Sequence, residues 1–230
     1  MQITGMLWGR KLLDLVEYPH SEVRGPELSV DEIKDMIKRH GQVFIKPLFK
    51  GGVGKKGKAG LLGRVDNISD ALKEKERLYF AEHVDGFSKV KSDGVTYEGA
   101  VTADFEVYFS ISESTEHRCP VMTITHHGGI DIEELGDDKM KVVPFDALTG
   151  LKAFHVSNAL MELGAPPAVI SPLVQNLPKL WDLYNNYGMM MLELNPIRTQ
   201  PGKGGRLAPI ACDFKCAFDQ DDPAWKRLHL

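Results

Sequence analysis

Cysteine is scarce in this 230-residue chain, and the three present, Cys119, Cys212 and Cys216, cannot all pair with one another. Cys212-x-x-x-Cys216 has no second pair of ligands, so neither a disulfide framework nor a zinc site is indicated. A reducing, cytoplasmic setting fits best. Long apolar runs are absent as well. No stretch approaches the about 18 apolar residues of a membrane span, and no apolar run follows a basic start at the N-terminus. Strong positive charge is missing outside one loop, and the formal net charge of −4 argues against nucleic acid as a partner. Repeats and low-complexity tracts are also missing. What remains is a globular composition, 43% apolar and 26% charged, in a chain long enough for one large domain or two small lobes.

The stretch with the most chemistry is Gln42 to Val65. Val43 to Ile45 predict a short strand ending in Lys46-Pro47, and Leu61 to Val65 predict its return. Between them Gly51, Gly52, Gly54, Gly57 and Gly60 alternate with Lys50, Lys55, Lys56 and Lys58. Glycines allow a close approach of backbone amides to an anion, and the ammonium groups add charge, so strand, loop and strand make a phosphate holder. The GxGxxG spelling at Gly52 to Gly57 lacks the helix a dinucleotide site requires after its third glycine. The near P-loop ending at Ala59 lacks the hydroxyl that meets Mg²⁺. A solvated basic turn has the same composition, so the rest of the chain must decide.

Along the chain, Leu7 to Tyr18 predict an amphipathic helix, and Ser29-Val-Asp-Glu32 spells a capping box ahead of Ile33, Met36 and Ile37. Ile68 to Arg77 predict a second helix capped by Ser69, and Leu78 to Val84 a strand. Ser88 to Thr102, polar and without period, predict a surface loop. Phe105 to Ser112 and Pro120 to His127 alternate as two hairpin strands joined through Glu113 to Arg118. Leu148, Leu151, Ala159, Leu160 and Leu163 mark a helix stopped at Gly164 and Pro166-Pro167, and Pro178 should kink or split the stripe from Ile170 to Tyr184. Met189 to Leu194 read as a buried strand ending at Asn195-Pro196, and Leu207 to Cys212 as another ending at Asp213. Adjacent strand ends would bring an amide and a carboxylate together, oxygen ligation suited to Mg²⁺. The competing reading is a turn initiator beside a solvated strand end.

The order of these features resembles the ATP-grasp fold, and within it the nucleotide-binding part of acyl-CoA synthetases that work through a phosphohistidine. The residues that carry the resemblance are Lys46-Pro47, Lys55-Lys56-Gly57-Lys58, Glu106 in FEVYFSI, His127-Gly-Gly-Ile-Asp131, Leu192-Glu-Leu-Asn195-Pro196 and Asp213-Phe-Lys215. THHGGIDIEEL and the segment from Ala211 to Leu230 are similar to the ATP-citrate lyase branch; the succinyl-CoA synthetase β subunit shares the ELNP and HGGID features.

The resemblance implies an α+β fold of two lobes, with the nucleotide site between antiparallel sheets. The small lobe would be about 21–84. The large lobe, about 85–230, would include the N-terminal helix. Lys46, Lys55, Lys56, Gly57 and Lys58 would hold ATP phosphates, Glu82, His83, Val84 and Asp85 would be a hinge bordering the adenine, and Glu106 would accept from the ribose. Asn195 and Asp213 would hold Mg²⁺. No catalytic residue is assigned in this chain, and His127 reads as loop structure near the phosphates. The implied activity is MgATP-dependent phosphorylation of a histidine on a partner CoA-ligase domain or subunit. That step would lead to citryl-CoA and then to acetyl-CoA plus oxaloacetate, in an enzyme of hetero-oligomeric form. CoA and citrate would bind elsewhere, and the chain is expected to be a fragment of a longer subunit, unable to run the whole reaction. The alternatives are a succinyl-CoA or citryl-CoA synthetase β-type subunit and a non-catalytic nucleotide-sensing module.

Overall fold

The computed structural model describes residues 1–49, 60–85, 88–129, 132, 135–202 and 207–228. In chain order the elements are β1 (Gln2–Thr4), α1 (Met6–Asp14), β2 (Val23–Arg24), α2 (Val30–His40), β3 (Val43–Pro47), β4 (Gly63–Val65) and α3 (Ile68–Tyr79). Then come β5 (Glu82–Asp85), β6 (Ser88–Lys91), β7 (Val95–Gly99), β8 (Glu106–Ser114), β9 (Cys119–Thr125) and β10 (Lys141–Pro144). Three helices follow, α4 (Ala153–Glu162), α5 (Pro167–Asn176) and α6 (Lys179–Asn186), and then β11 (Met189–Pro201), β12 (Leu207–Ala211) and β13 (Lys215–Phe218). The chain forms two compact units: Ser21–Val101 with Thr4–Leu7, and Thr102–Leu230 with Met1–Ile3 and Trp8–His20. The architecture is α+β, and the registered strand pairs are antiparallel.

The smaller unit holds a four-stranded sheet in the order β2-β7-β3-β4 and a separate β5-β6 hairpin. Ser29 and Glu32 cap α2 reciprocally: Ser29 N–H donates to the Glu32 carboxylate at 2.9 Å, and Glu32 N–H to Ser29 Oγ at 3.4 Å. Its Ile33 and Met36 pack with Val43, Ile45 and Val65 of the sheet and with Ala71 and Leu78 of α3. That helix departs from expectation at both ends. Asn67, not Ser69, is its cap, accepting from Asp70 N–H at 3.0 Å. At the other end the helix takes in Leu78, one of its buried positions seven residues after Ala71, so the following strand begins only at Glu82.

The expected surface loop 88–102 is instead β6 and β7. All five residues of β7 are buried; the strand lies between β2 and β3, and Val95 and Tyr97 belong to the same core as Ile33 and Met36 of α2 and Ala71 and Leu78 of α3. Val95, Tyr97 and Gly99 alternate with Thr96 and Glu98, but the polar side is buried as well, so the strand has no solvated face. It also carries the smaller unit past residue 84 to Val101.

The larger unit is built on the path β1-β13-β11-β8-β9-β10, with β12 added to β11. Val107, Phe109 and Ile111 of β8 and Leu192, Leu194 and Ile197 of β11 supply one buried face. Helices α4 to α6 bury Val156, Leu160, Leu173, Leu180 and Leu183; Pro178 lies between α5 and α6, whereas Pro172 is carried within α5. Leu148 lies outside α4 and is almost fully exposed. The Asp146 carboxylate accepts the N–H groups of Leu148 and Thr149 at 2.8 and 2.9 Å, a turn that delays the helix to Ala153. Asn195 also departs from expectation: β11 continues through it to Pro201 rather than ending there.

Candidate nucleotide site

In the smaller unit Lys46 lies on β3 and projects toward Glu98 of β7, Nζ to Oε2 2.6 Å, with the glutamate side chain 4% exposed. The paired strands put Lys46 opposite Thr96 and Phe44 opposite Glu98, so the ion pair runs diagonally across the ladder. Glu98 was not visible as a partner from sequence, because it sits in the segment that reads as a loop. Lys55, Lys56, Gly57 and Lys58 lie outside the described residues.

Glu82, His83, Val84 and Asp85 form β5, paired residue for residue with β6, inside the smaller unit. Glu82 meets Lys89 at 2.6 Å, the His83 ring centroid is 6.2 Å from that of Phe49, and Val84 is exposed. Residues 82–85, which the resemblance gives as a hinge, lie in a hairpin within the smaller unit, and one crossing of the chain between units falls at Val101–Thr102. The hinge is implied by the resemblance alone; the residues themselves read as the end of a strand, and Glu82 to Val84 are in one.

In the larger unit Glu106 stands on β8 and Asn195 on β11, both on the partly open side of that strand pair. On β8 the core residues Val107, Phe109 and Ile111 alternate with Glu106, Tyr108 and Ser110. On β11 Leu192 and Leu194 are buried, and after a register shift between Leu194 and Ile197 the buried set becomes Ile197 and Thr199. The shift exchanges odd for even, so Arg198 shares the partly open side with Glu193 and Asn195. Arg198 pairs with Glu106 in the ladder, and Glu193 with Ser110.

The contacts on that face are specific. Arg198 Nε donates to Glu106 Oε1 at 2.9 Å, and Arg198 Nη2 reaches the same oxygen. Gly128 N–H donates to the Glu106 carbonyl at 2.6 Å, and Gly129 N–H donates to Asn195 Oδ1 at 2.8 Å. The turn has no room for side chains. A Cβ on Gly129, whose φ is +76°, would fall 1.5 Å from Glu106 Oε2, and one on Gly128 would fall 2.6 Å from the Val107 backbone. The two glycines of the HGG motif thus join the Glu106 main-chain carbonyl to the Asn195 side-chain amide.

Asp213 lies between β12 and β13 and accepts the N–H of Phe214 at 2.9 Å. Its negative charge is felt by Glu193, whose carboxyl is raised first by burial and then by Asp213, with Lys215 pulling the other way. Tyr108 is raised in the same manner, by burial and also by the Glu193 charge, against a hydrogen bond from Ser110. Glu193 was missed from sequence, although a strand places residues i and i+2 on one side and Glu193 stands two before Asn195. Neighbouring carboxylates, one of them reluctant to ionise, together with an amide oxygen, are hard donors of the kind a divalent cation stabilises. No group of three or more His, Cys, Asp or Glu positioned for a metal occurs among the described residues. His126 and His127 lie 4.2 Å apart between ring centroids, tilted by 36°; burial, then the neighbouring His127, lowers His126. Asp131 lies outside the described residues.

Comparison with known proteins gives these residues a context. A family model described as the ATP-grasp domain matches residues 16–199, and the chain belongs to this family. The β subunit of succinate–CoA ligase [ADP-forming] from Desulfatibacillum aliphaticivorans is 30% identical over 200 residues, 84% of this chain and 51% of that protein. The ATP citrate lyase of Methanothrix soehngenii, solved with citrate and coenzyme A, superimposes with a TM-score of 0.68 at 19% identity, over 99% of this chain and 53% of that one. The dinucleotide-forming acetyl-coenzyme A synthetase 1 of Ca. Korarchaeum cryptofilum, in complex with coenzyme A, Ca-AMPCP and HgCl⁺, gives 0.70 at 14% identity, over 95% and 93%. At these identities the solved structures show the fold. The chain spans about half the length of the curated relatives it matches. No described helix is long and apolar enough to cross a membrane.

Proposed function

We propose that this chain is the nucleotide-binding module of an ATP citrate lyase, using MgATP to phosphorylate a histidine on a partner CoA-ligase domain. The product path would run through citryl-CoA to acetyl-CoA and oxaloacetate, with CoA and citrate bound outside this module. The observation that carries the reading is the polar face of β8 and β11, where Glu106, the Gly128-Gly129 turn and Asn195 are hydrogen-bonded into one assembly near Glu193 and Asp213. The branch is favoured by the resemblance of THHGGIDIEEL and of the segment from Ala211 on, and the Methanothrix soehngenii enzyme shares the fold.

In this reading Glu106 accepts from ribose hydroxyls, Lys46 and the lysines of the 55–58 loop meet the phosphates, and Asn195 and Asp213 hold Mg²⁺. A divalent cation bound there neutralises phosphate charge and shares phosphate oxygens. The acceptor imidazole nitrogen forms a bond to the γ-phosphorus as the bond to the β–γ bridging oxygen breaks and ADP leaves. Because such transfer depends mostly on positioning and charge stabilisation, the residues required of this chain are orienting and electrostatic ones. A second reading, the β-type subunit of a succinyl-CoA-forming ligase, is favoured by the 30% identity to succinate–CoA ligase.

The test is calorimetric titration of MgATP, and of ATP with EDTA, into the wild-type chain, Asp213→Ala and Lys46→Ala. Affinity should fall in Asp213→Ala chiefly when Mg²⁺ is present, and in Lys46→Ala under both conditions. Thermal melting of Lys46→Ala must accompany its titration, because the substitution also breaks the Glu98 pair. A wild-type chain that neither binds nucleotide nor shifts its melting temperature with it would sink the proposal.

A further inference from the structure

We infer that Arg198 is a positioning residue that fixes the Glu106 carboxylate for recognition of the ribose hydroxyls, so that Arg198 determines how well the site separates ribonucleotides from sugars lacking them. The inference rests on the reading of Glu106 as the ribose acceptor and goes one residue further.

Two donors of one guanidinium, Nε and Nη2, converge on Oε1 of Glu106. The other oxygen, Oε2, is packed against the turn so closely that even a methyl group on Gly129 would collide with it. The turn is itself held by Gly128 N–H on the Glu106 carbonyl and by Asn195 Oδ1 on Gly129 N–H. Glu106 is therefore located from three sides: by a facing strand, by its own backbone and by a glycine turn. A glutamate left to itself has rotamer freedom that a ligand must freeze on binding, and a carboxylate already held avoids that loss.

Both partners stand on paired strands rather than loops, which keeps the geometry narrow. The planar fork of arginine is also difficult to replace, since a lysine offers a point charge on a flexible stem. A purely structural pair would behave differently. Both side chains are partly open to water, at 26% and 30%, and such pairs add little to stability.

The experiment is titration of ATP and of 2′,3′-dideoxy-ATP, both with Mg²⁺, into the wild-type chain, Arg198→Met, Arg198→Lys and Glu106→Gln. Wild type should prefer ATP by roughly tenfold, the order expected for hydrogen bonds to a charged group. Arg198→Met should lose most of that preference with its affinity for dideoxy-ATP unchanged, Arg198→Lys should recover part, and Glu106→Gln should abolish the preference. An Arg198→Met chain that keeps the full preference, or that loses both ligands together, overturns the inference and leaves nucleotide binding by wild type standing. A wild type that binds both ligands equally overturns it along with the role of Glu106. One that binds neither overturns the functional reading as well. If Arg198→Met does not fold, Arg198→Lys decides: a reduced preference supports the inference and an unchanged one overturns it.

Discussion

Lys46 Nζ and Glu98 Oε2 are 2.6 Å apart across β3 and β7, and the carboxylate is held where almost no water reaches it, its side chain 4% exposed. Breaking such a pair from one side leaves the other charge in a poorly solvating place, which costs more than the pair contributes net. Lys46→Met should therefore destabilise the smaller unit by about 3 kcal/mol. Adding Glu98→Gln should restore part of the loss. Urea unfolding of the two single variants and the double variant gives the coupling between them, and a coupling near zero would show that the pair is incidental.

Gly129 tests the crowding at the HGG turn. Gly129→Ala puts a Cβ 1.5 Å from Glu106 Oε2, whereas Gly164 has a similar φ, +71° against +76°, with nothing within 4 Å. Both substitutions suffer the same left-handed backbone penalty, of order 1 kcal/mol. The excess loss in Gly129→Ala then reports the collision alone, and it should be about 1–2 kcal/mol with weakened nucleotide binding. Equal melting temperatures for the two variants would mean that the carboxylate moves aside freely.

How far the sequence discloses this fold depends on whether a residue's partner leaves a periodic trace. The α2 capping box, the β8 alternation and the break at Pro178 are local, and all three appear where expected. The antiparallel α+β architecture of the ATP-grasp fold was legible too, through motifs at Lys46, Glu106, Asn195 and Asp213. Long-range partners were not. β7 has a glutamate in a buried strand because a lysine from β3 meets it, and no window around Glu98 contains that lysine. Arg198 reaches the open side of the sheet only because the register of β11 shifts between Leu194 and Ile197. The continuation of β11 through Asn195-Pro196 was hidden by a dipeptide that ordinarily signals a turn.

The cap of α3 provides a direct contest between sequence and structure. Ser69 is a good capping type in a plausible place, yet Asn67 Oδ1 is the atom that accepts Asp70 N–H, at 3.0 Å. Asn67→Ala should lower stability by about 1 kcal/mol in chemical denaturation, and Ser69→Ala should change it by less than about 0.5 kcal/mol. The reverse ranking would move the start of the helix.

Acid stability of the smaller unit should depend on Glu22. Burial works to raise its carboxyl, but hydrogen bonds from His40, Arg39 and Arg24 outweigh burial and hold it down to about 2, from an ordinary 4.5. The distances, 2.8 Å to His40, 2.8 Å to Arg39 and 3.1 Å to Arg24, place three side chains around one carboxylate. With the folded value depressed, the unfolded chain takes up its proton first. Ionised Glu22 thus stabilises the fold above pH 4.5, and that contribution drains away as pH falls from 4.5 through about 2. Glu22→Gln should be less stable than wild type near neutral pH and should lose stability less steeply across that interval, as followed by denaturant midpoints at several pH values. Other carboxylates titrate in the same range and steepen both curves, so the difference between the chains is the quantity to read. Parallel curves would mean that the three side chains hold Glu22 no better in the folded chain than in the unfolded one. In that case the arrangement at the end of α2 would be a solvated cluster rather than a clasp between β2 and that helix.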